Sequence, residues 1–170
     1  MIETPIPPRL AGRPRDRRGY PVPYIVMLDA NGKPDFRVSD TLKVMRVVEL
    51  RLCGLCGQPM GRYMGFIGGP QSFQSHCNTD PPSHVECAEY ALKVCPFLAN
   101  PSMHYAEKIP MLAGAKTIVI PEMPVERPER FFLATAKSVE WVRLPSGNPV
   151  LQAGEWLTTR WFKDGQEITA

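Results

Sequence analysis

The sequence predicts an α+β fold in which a treble-clef zinc finger is embedded between an N-terminal hairpin-plus-helix and a C-terminal antiparallel β region. Three observations carry this. Cys53-Gly-Leu-Cys56-Gly57 is followed after 27 residues by His84-Val-Glu-Cys87. One segment of helical periodicity delivers the chain to the first pair. From residue 117 onward the pattern turns to short apolar runs separated by turn residues.

Nineteen of the 170 residues are proline, roughly twice average usage, so many connections are expected to be extended and long helices are not. Apolar residues make up 44% and charged residues 22%, as in an ordinary globular domain. No run approaches the ~18 apolar residues of a membrane span, and no apolar leader follows the first charges. A cytoplasmic protein is the expectation, and five cysteines there point to metal binding or burial before disulfides.

Residues 1–23 hold five arginines, Arg9, Arg13, Arg15, Arg17 and Arg18, against Glu3 and Asp16. That +3 equals the net charge of the whole chain, so the rest of the protein is neutral. With six prolines and little apolar content, this arm is expected to be disordered or extended. A cation-rich arm can contact phosphate backbones through those five arginines, or it can be a solvated leader.

Tyr24–Leu28 is a strand-length apolar run, Asn31-Gly32 supplies a tight turn, and Phe36–Val38 is the returning strand. Ser39 or Asp40 can cap a helix to about Leu52, with Leu42, Met45, Val48 and Leu52 on its buried face. Arg62–Ile67 reads as a strand, Gly68-Gly69-Pro70 as a turn and Gln71–Asn78 as the hairpin partner. A short helix follows Pro81-Pro82 and ends at Cys95, before Pro96. Strands are expected at 117–120, 131–136 and 139–144, with Val150-Leu151 after a turn at 145–148. Trp156–Phe162 fits a short helix or a strand. The organisation expected is therefore the arm (1–23), a zinc-binding α+β core (24–116) and a β-rich region (117–170) packed on the same domain.

Cys53 and Cys56 can bind one metal because Gly54 and Gly57 let the chain fold back between them. His84 and Cys87, at i and i+3, share one face of a helix's first turn. Ser83 and Glu86 have the spacing of a capping box, which would start that helix at Ser83 and put its positive end near the thiolates. Three thiolates and an imidazole form a closed tetrahedral set, the pattern of structural Zn²⁺. The competing reading is a redox pair or buried thiols. Cys77 and His76 are the competitors for a ligand place, with Cys77 otherwise a core or free thiol, and Cys95 reads as buried against the core.

Two catalytic readings compete with a structural role. His84-Val-Glu86 has the H-x-E of zinc deaminases, but the CxxC precedes it and lacks the family's proline. An HNH-like nuclease would draw on His76, Asn78 and Asp80, yet the paired histidine or aspartate and the later helical histidine are missing, and His104 lies outside the finger. Trp141, Trp156 and Trp161 are either stacking platforms or core.

The runs Arg17-Arg-Gly-Tyr-Pro-Val-Pro23, Gly32-Lys-Pro-Asp-Phe36, Cys53-x-x-Cys-Gly57, Pro81-Pro-Ser-His84-x-x-Cys-Ala-Glu-Tyr90 and Val94-Cys-Pro-Phe-Leu98 resemble a family of small zinc-motif proteins of actinobacteria and their phages. The likeness covers about residues 15–100 and extends weakly through Gly154–Leu157 and Trp161–Gly165. It implies a cytoplasmic, phage- or prophage-related protein, and it implies that Tyr20 and Pro21–Pro23 pack along the domain surface. The expected function is a non-enzymatic interaction protein whose zinc finger holds a surface for a protein partner, or for nucleic acid, with the nuclease as the alternative.

Overall fold

Three antiparallel sheets organise the residues described by the computed structural model, 4–104, 120–123 and 126–169. In chain order the elements are α1 (Pro8–Ala11), β1 (Val26–Leu28), β2 (Pro34–Ser39), α2 (Thr41–Glu49), β3 (Met64–Gly68), α3 (Pro70–Ser75), β4 (Cys77–Asn78), α4 (Val85–Val94) and α5 (Pro96–Ala99). Five strands follow: β5 (Phe131–Ala136), β6 (Val139–Arg143), β7 (Pro149–Ala153), β8 (Thr158–Lys163) and β9 (Gln166–Ile168). The fold class is α+β. No helix among the described residues is long and apolar enough to cross a membrane.

β5 is the hub. It lies between β3 and β8 in a sheet ordered β3-β5-β8-β9, and its alternate side chains enter different cores. Phe132, Ala134 and Ala136 pack with Met64, Phe66 and Trp161, while Phe131 and Leu133 pack with Phe162 and with Ala88 and Leu92 of α4. Burial on both faces is why Phe131–Ala136 reads as a continuous apolar run. The same alternation decides the ambiguous Trp156–Phe162 segment for a strand, since Trp161 and Phe162 serve opposite faces. The second sheet is ordered β4-β7-β6, and the β1–β2 hairpin stands apart.

Three expectations change. Gln71–Asn78 does not return against Arg62–Ile67; Pro70 opens α3 instead, and β3 takes its partner from β5, more than sixty residues on. A knuckle and a ligand-bearing helix are therefore present without a β3–β4 hairpin between them. The cause is burial: Phe66 and Met64 gain full cover only against the C-terminal strands.

On α2, Asp40 is the cap, accepting hydrogen bonds from the Leu42 and Lys43 amides. The buried face is Val44 and Val47 against Ile25, whereas Leu42 (77% exposed) and Met45 (53%) face outward. The helix carries two apolar stripes, and the stripe lying over the hairpin is the one that is covered.

The arm, from residue 4 onward, is packed rather than free. Leu10 is buried in the cluster of Cys53, Cys56, Cys87 and Tyr90, with Ile6 beside it. Pro21 and Val22 are buried too. Besides this apolar burial, backbone hydrogen bonds within the arm, such as those from the Val22 amide to the Pro14 carbonyl (2.7 Å) and from the Asp16 amide to the Tyr20 carbonyl (3.0 Å), hold the proline-stiffened segment in place. Of the strand expected at 117–120, only Ile120 falls within the described residues, and it is not in a strand.

Candidate metal centre

α2 ends at Glu49, and Arg51 (φ 49°) turns the chain into the knuckle. The Cys53 amide donates to the Gln58 carbonyl (2.8 Å), and the Gly57 amide to the Cys53 carbonyl (2.8 Å). Gly57 sits at φ 78° with the Tyr24 ring 2.6 Å from where a Cβ would stand, so both its backbone and its missing side chain are required. The Gly54 amide donates to the Pro82 carbonyl (3.0 Å), which docks the knuckle on the segment entering α4. Gly65 and Ser83 exchange two backbone hydrogen bonds (2.7 and 2.8 Å), tying that segment to β3. Thus the hydrogen bonds of three segments converge on one point.

The ligand atoms of Cys53, Cys56, His84 and Cys87 lie there within 4.8 Å of one another, all four residues buried. Cys53 and Cys87 are wholly inaccessible. His84 Nε2 is 3.0 Å from the Pro59 carbonyl, an oxygen that can only accept, so Nε2 carries the proton. Nδ1 is left with its lone pair facing the sulfurs, 3.4 Å from Cys56 Sγ. This is the tautomer a metal-binding imidazole needs, fixed by its outer hydrogen bond.

The backbone also favours negative sulfur. Cys53 Sγ accepts from the amides of Cys56 (3.4 Å) and His84 (3.3 Å). A hydrogen bond from the Cys87 thiol, then these amides and the Ser83 side chain, hold Cys53 down to about 4. Burial raises Cys56 to about 11, and the bond to Cys53 together with burial raises Cys87. The surroundings thus favour negative charge most at Cys53, at a point that a divalent cation could occupy. The donor set and spacing suit a metal ion.

The capping box is not formed. His84, one residue later than expected, is the cap of α4 and makes no side-chain cap bond. Ser83 turns to the sulfur instead, and Glu86 pairs with Arg9 (2.9 Å), clamping the arm over the site. The i, i+3 placement of His84 and Cys87 survives the shift. Nothing in the sequence marks the Pro59 carbonyl or the Arg9–Glu86 clamp, because both depend on long-range packing.

The remaining candidates lie elsewhere. His76 (φ 61°) donates from Nδ1 to the Gly154 carbonyl (2.9 Å) and stacks on Trp156 at 4.6 Å. Asn78 Nδ2 donates to the His76 carbonyl (3.1 Å). Cys77 and Cys95 are half-buried and outside the ligand cluster, and Asp80 is exposed. Trp156 and Trp161 belong to the core, and Trp141 is 44% exposed.

Four of the five arm arginines, all but Arg17, have hydrogen-bond partners among the described residues, although only Arg13 is even half-buried. Arg13 donates to the Val22 carbonyl and Arg15 to that of Gly19, while Arg18 pairs with Asp16 and lies over the Tyr20 and Phe36 rings. The chain matches no protein-family model, no curated protein and no solved structure.

Proposed function

We propose that this is a non-enzymatic interaction protein whose fold is held by one structural Zn²⁺ on Cys53, Cys56, His84 and Cys87. The observation that carries the reading is the cluster itself: four buried donors of the Cys₃His type lie within 4.8 Å of one another, a full tetrahedral set. Ideal tetrahedral Zn–S bonds put sulfurs about 3.8 Å apart, which lies inside the 4.8 Å that bounds the four ligand atoms. Zn²⁺ supplies no redox chemistry here, only cross-linking of the knuckle to α4. The four side chains hold it, the Cys56 and His84 amides and Ser83 stabilise the Cys53 thiolate, and Pro59 keeps the imidazole in register. The sequence likeness to actinobacterial and phage proteins supports a cytoplasmic, phage- or prophage-related setting, with a protein or nucleic-acid partner.

Metal analysis of the purified protein should give one zinc per chain. Cys53→Ser and Cys87→Ser should each abolish it and lower the melting temperature, as should chelation, because site formation and folding are coupled. Unchanged zinc content and melting in both variants would end this reading. The HNH-like alternative predicts Mg²⁺- or Mn²⁺-dependent plasmid cleavage that His76→Ala removes.

A further inference from the structure

The knuckle's two ends meet beside an exposed aromatic ring. The Leu52–Pro59 bridge and the hydrogen bond from the Met60 amide to the Arg51 carbonyl (2.9 Å) bring residues 51 and 60–62 together. Arg51 then reaches across, donating to the Gly61 carbonyl (3.2 Å) and the Lys137 carbonyl (3.4 Å). Met64 pairs with Ala136 at the end of the β3–β5 ladder, so one step further Tyr63 comes opposite Lys137. The Tyr63 ring is 53% exposed, with the Arg62 guanidinium 5.9 Å and the Lys137 ammonium 5.8 Å from its centroid.

Arg51, Arg62 and Lys137 are all exposed, and none takes part in an ion pair among the described residues. On the arm, by contrast, Arg9 and Arg18 are each ion-paired with a carboxylate within 3 Å. Arg51 holds a left-handed backbone, which a non-glycine residue adopts at a cost, and its side chain ties the knuckle to the sheet beside Lys137. Two cations within 6 Å of the centroid of an open aromatic ring, with the exposed Arg51 guanidinium tied beside Lys137 and paired with no carboxylate among the described residues, match a chain that alternates anionic phosphates with flat bases.

We propose that Arg51, Arg62, Tyr63 and Lys137 form a binding surface for single-stranded nucleic acid, a base stacking on Tyr63 while neighbouring phosphates meet the three cations. This names the partner class of the interaction protein proposed above, and it rests on that reading because the metal-bound knuckle positions Arg51 and Arg62.

The test is fluorescence anisotropy of a labelled oligothymidylate titrated with the zinc-assayed protein over a range of salt concentrations. Three phosphate contacts predict a log–log salt slope of about −2, and Arg62→Ala should make it shallower by about 0.7. Tyr63→Ala should weaken binding about five- to 150-fold with little change of slope, and Tyr63→Trp should restore it. Arg17→Ala, on the arm, should leave binding unchanged. Equal affinity for duplex DNA, or insensitivity to Tyr63→Ala, would overturn the proposal in favour of a general polyanion surface. Zinc-loaded protein that binds no oligonucleotide would overturn it and leave the zinc scaffold standing. Zinc-free protein that still binds through Tyr63 would do the reverse.

Discussion

Truncating Leu10 to alanine should release the N-terminal arm from the metal centre while leaving the sheets folded. Leu10 is 4% exposed and packs against Cys53, Cys56, Cys87 and Tyr90. Core Leu→Ala changes cost about 2–5 kcal/mol, but a terminal segment can lift away as a unit, so the lower half, about 2–3 kcal/mol, applies. That corresponds to a roughly 30- to 150-fold larger population of the undocked arm. The Arg9–Glu86 pair adds little, since its side chains are 45% and 50% exposed and such pairs contribute about 0–1 kcal/mol. Hydrogen exchange measured by mass spectrometry reads this directly. The amides of Ala11 and Arg13, which donate to the Pro7 and Leu10 carbonyls, should exchange faster by that factor. Amides of β5 should not change, and Arg9→Ala should accelerate the arm less than about tenfold. Unaltered arm exchange in Leu10→Ala would refute the docking argument, and uniform acceleration through β5 would refute the arm's independence.

Other perturbations probe the knuckle and the charge network. Gly57→Ala forces a Cβ into left-handed backbone and into the Tyr24 ring, and should cost about 2–4 kcal/mol with weakened metal retention; a melting temperature equal to wild type would count against it. Glu89, held between Arg160 (2.7 Å) and Lys93 (2.6 Å), has its carboxyl lowered from 4.5 to about 2, first by the Arg160 hydrogen bond. A folded-state value below the unfolded one means stability that is present above about pH 4.5 and lost as pH falls toward 2. The contribution is on the order of 1–2 kcal/mol after solvent screening, more than half of it gone by about pH 3. The melting difference between wild type and Glu89→Gln should shrink over that range, and a constant difference would contradict the assignment. At the metal centre, loss of zinc and of thermal stability in Cys53→Ser and Cys87→Ser remains the decisive measurement.

What could be read in the sequence was local. The ligand pairs sit at fixed short spacings with glycine at the turn, and Asp40, Asn31-Gly32, Pro96 and the Phe131–Ala136 run each settle their own few residues. These features depend on backbone geometry within a turn or two, so the chain order alone specifies them. Choices between competing partners were not legible. Whether β3 pairs with its neighbour or with β5, which stripe of α2 is covered, and whether Glu86 caps its helix or meets Arg9 all turn on apolar surface brought from distant segments. Leu10 shows the same division: its sequence context is polar and proline-rich, and only the assembled cysteine cluster gives it somewhere to be buried. Sequence determined the α+β class and which four cysteine and histidine residues come together in one cluster. Tertiary structure decided that the cluster is buried, because burial is a property of what surrounds a residue rather than of what precedes it.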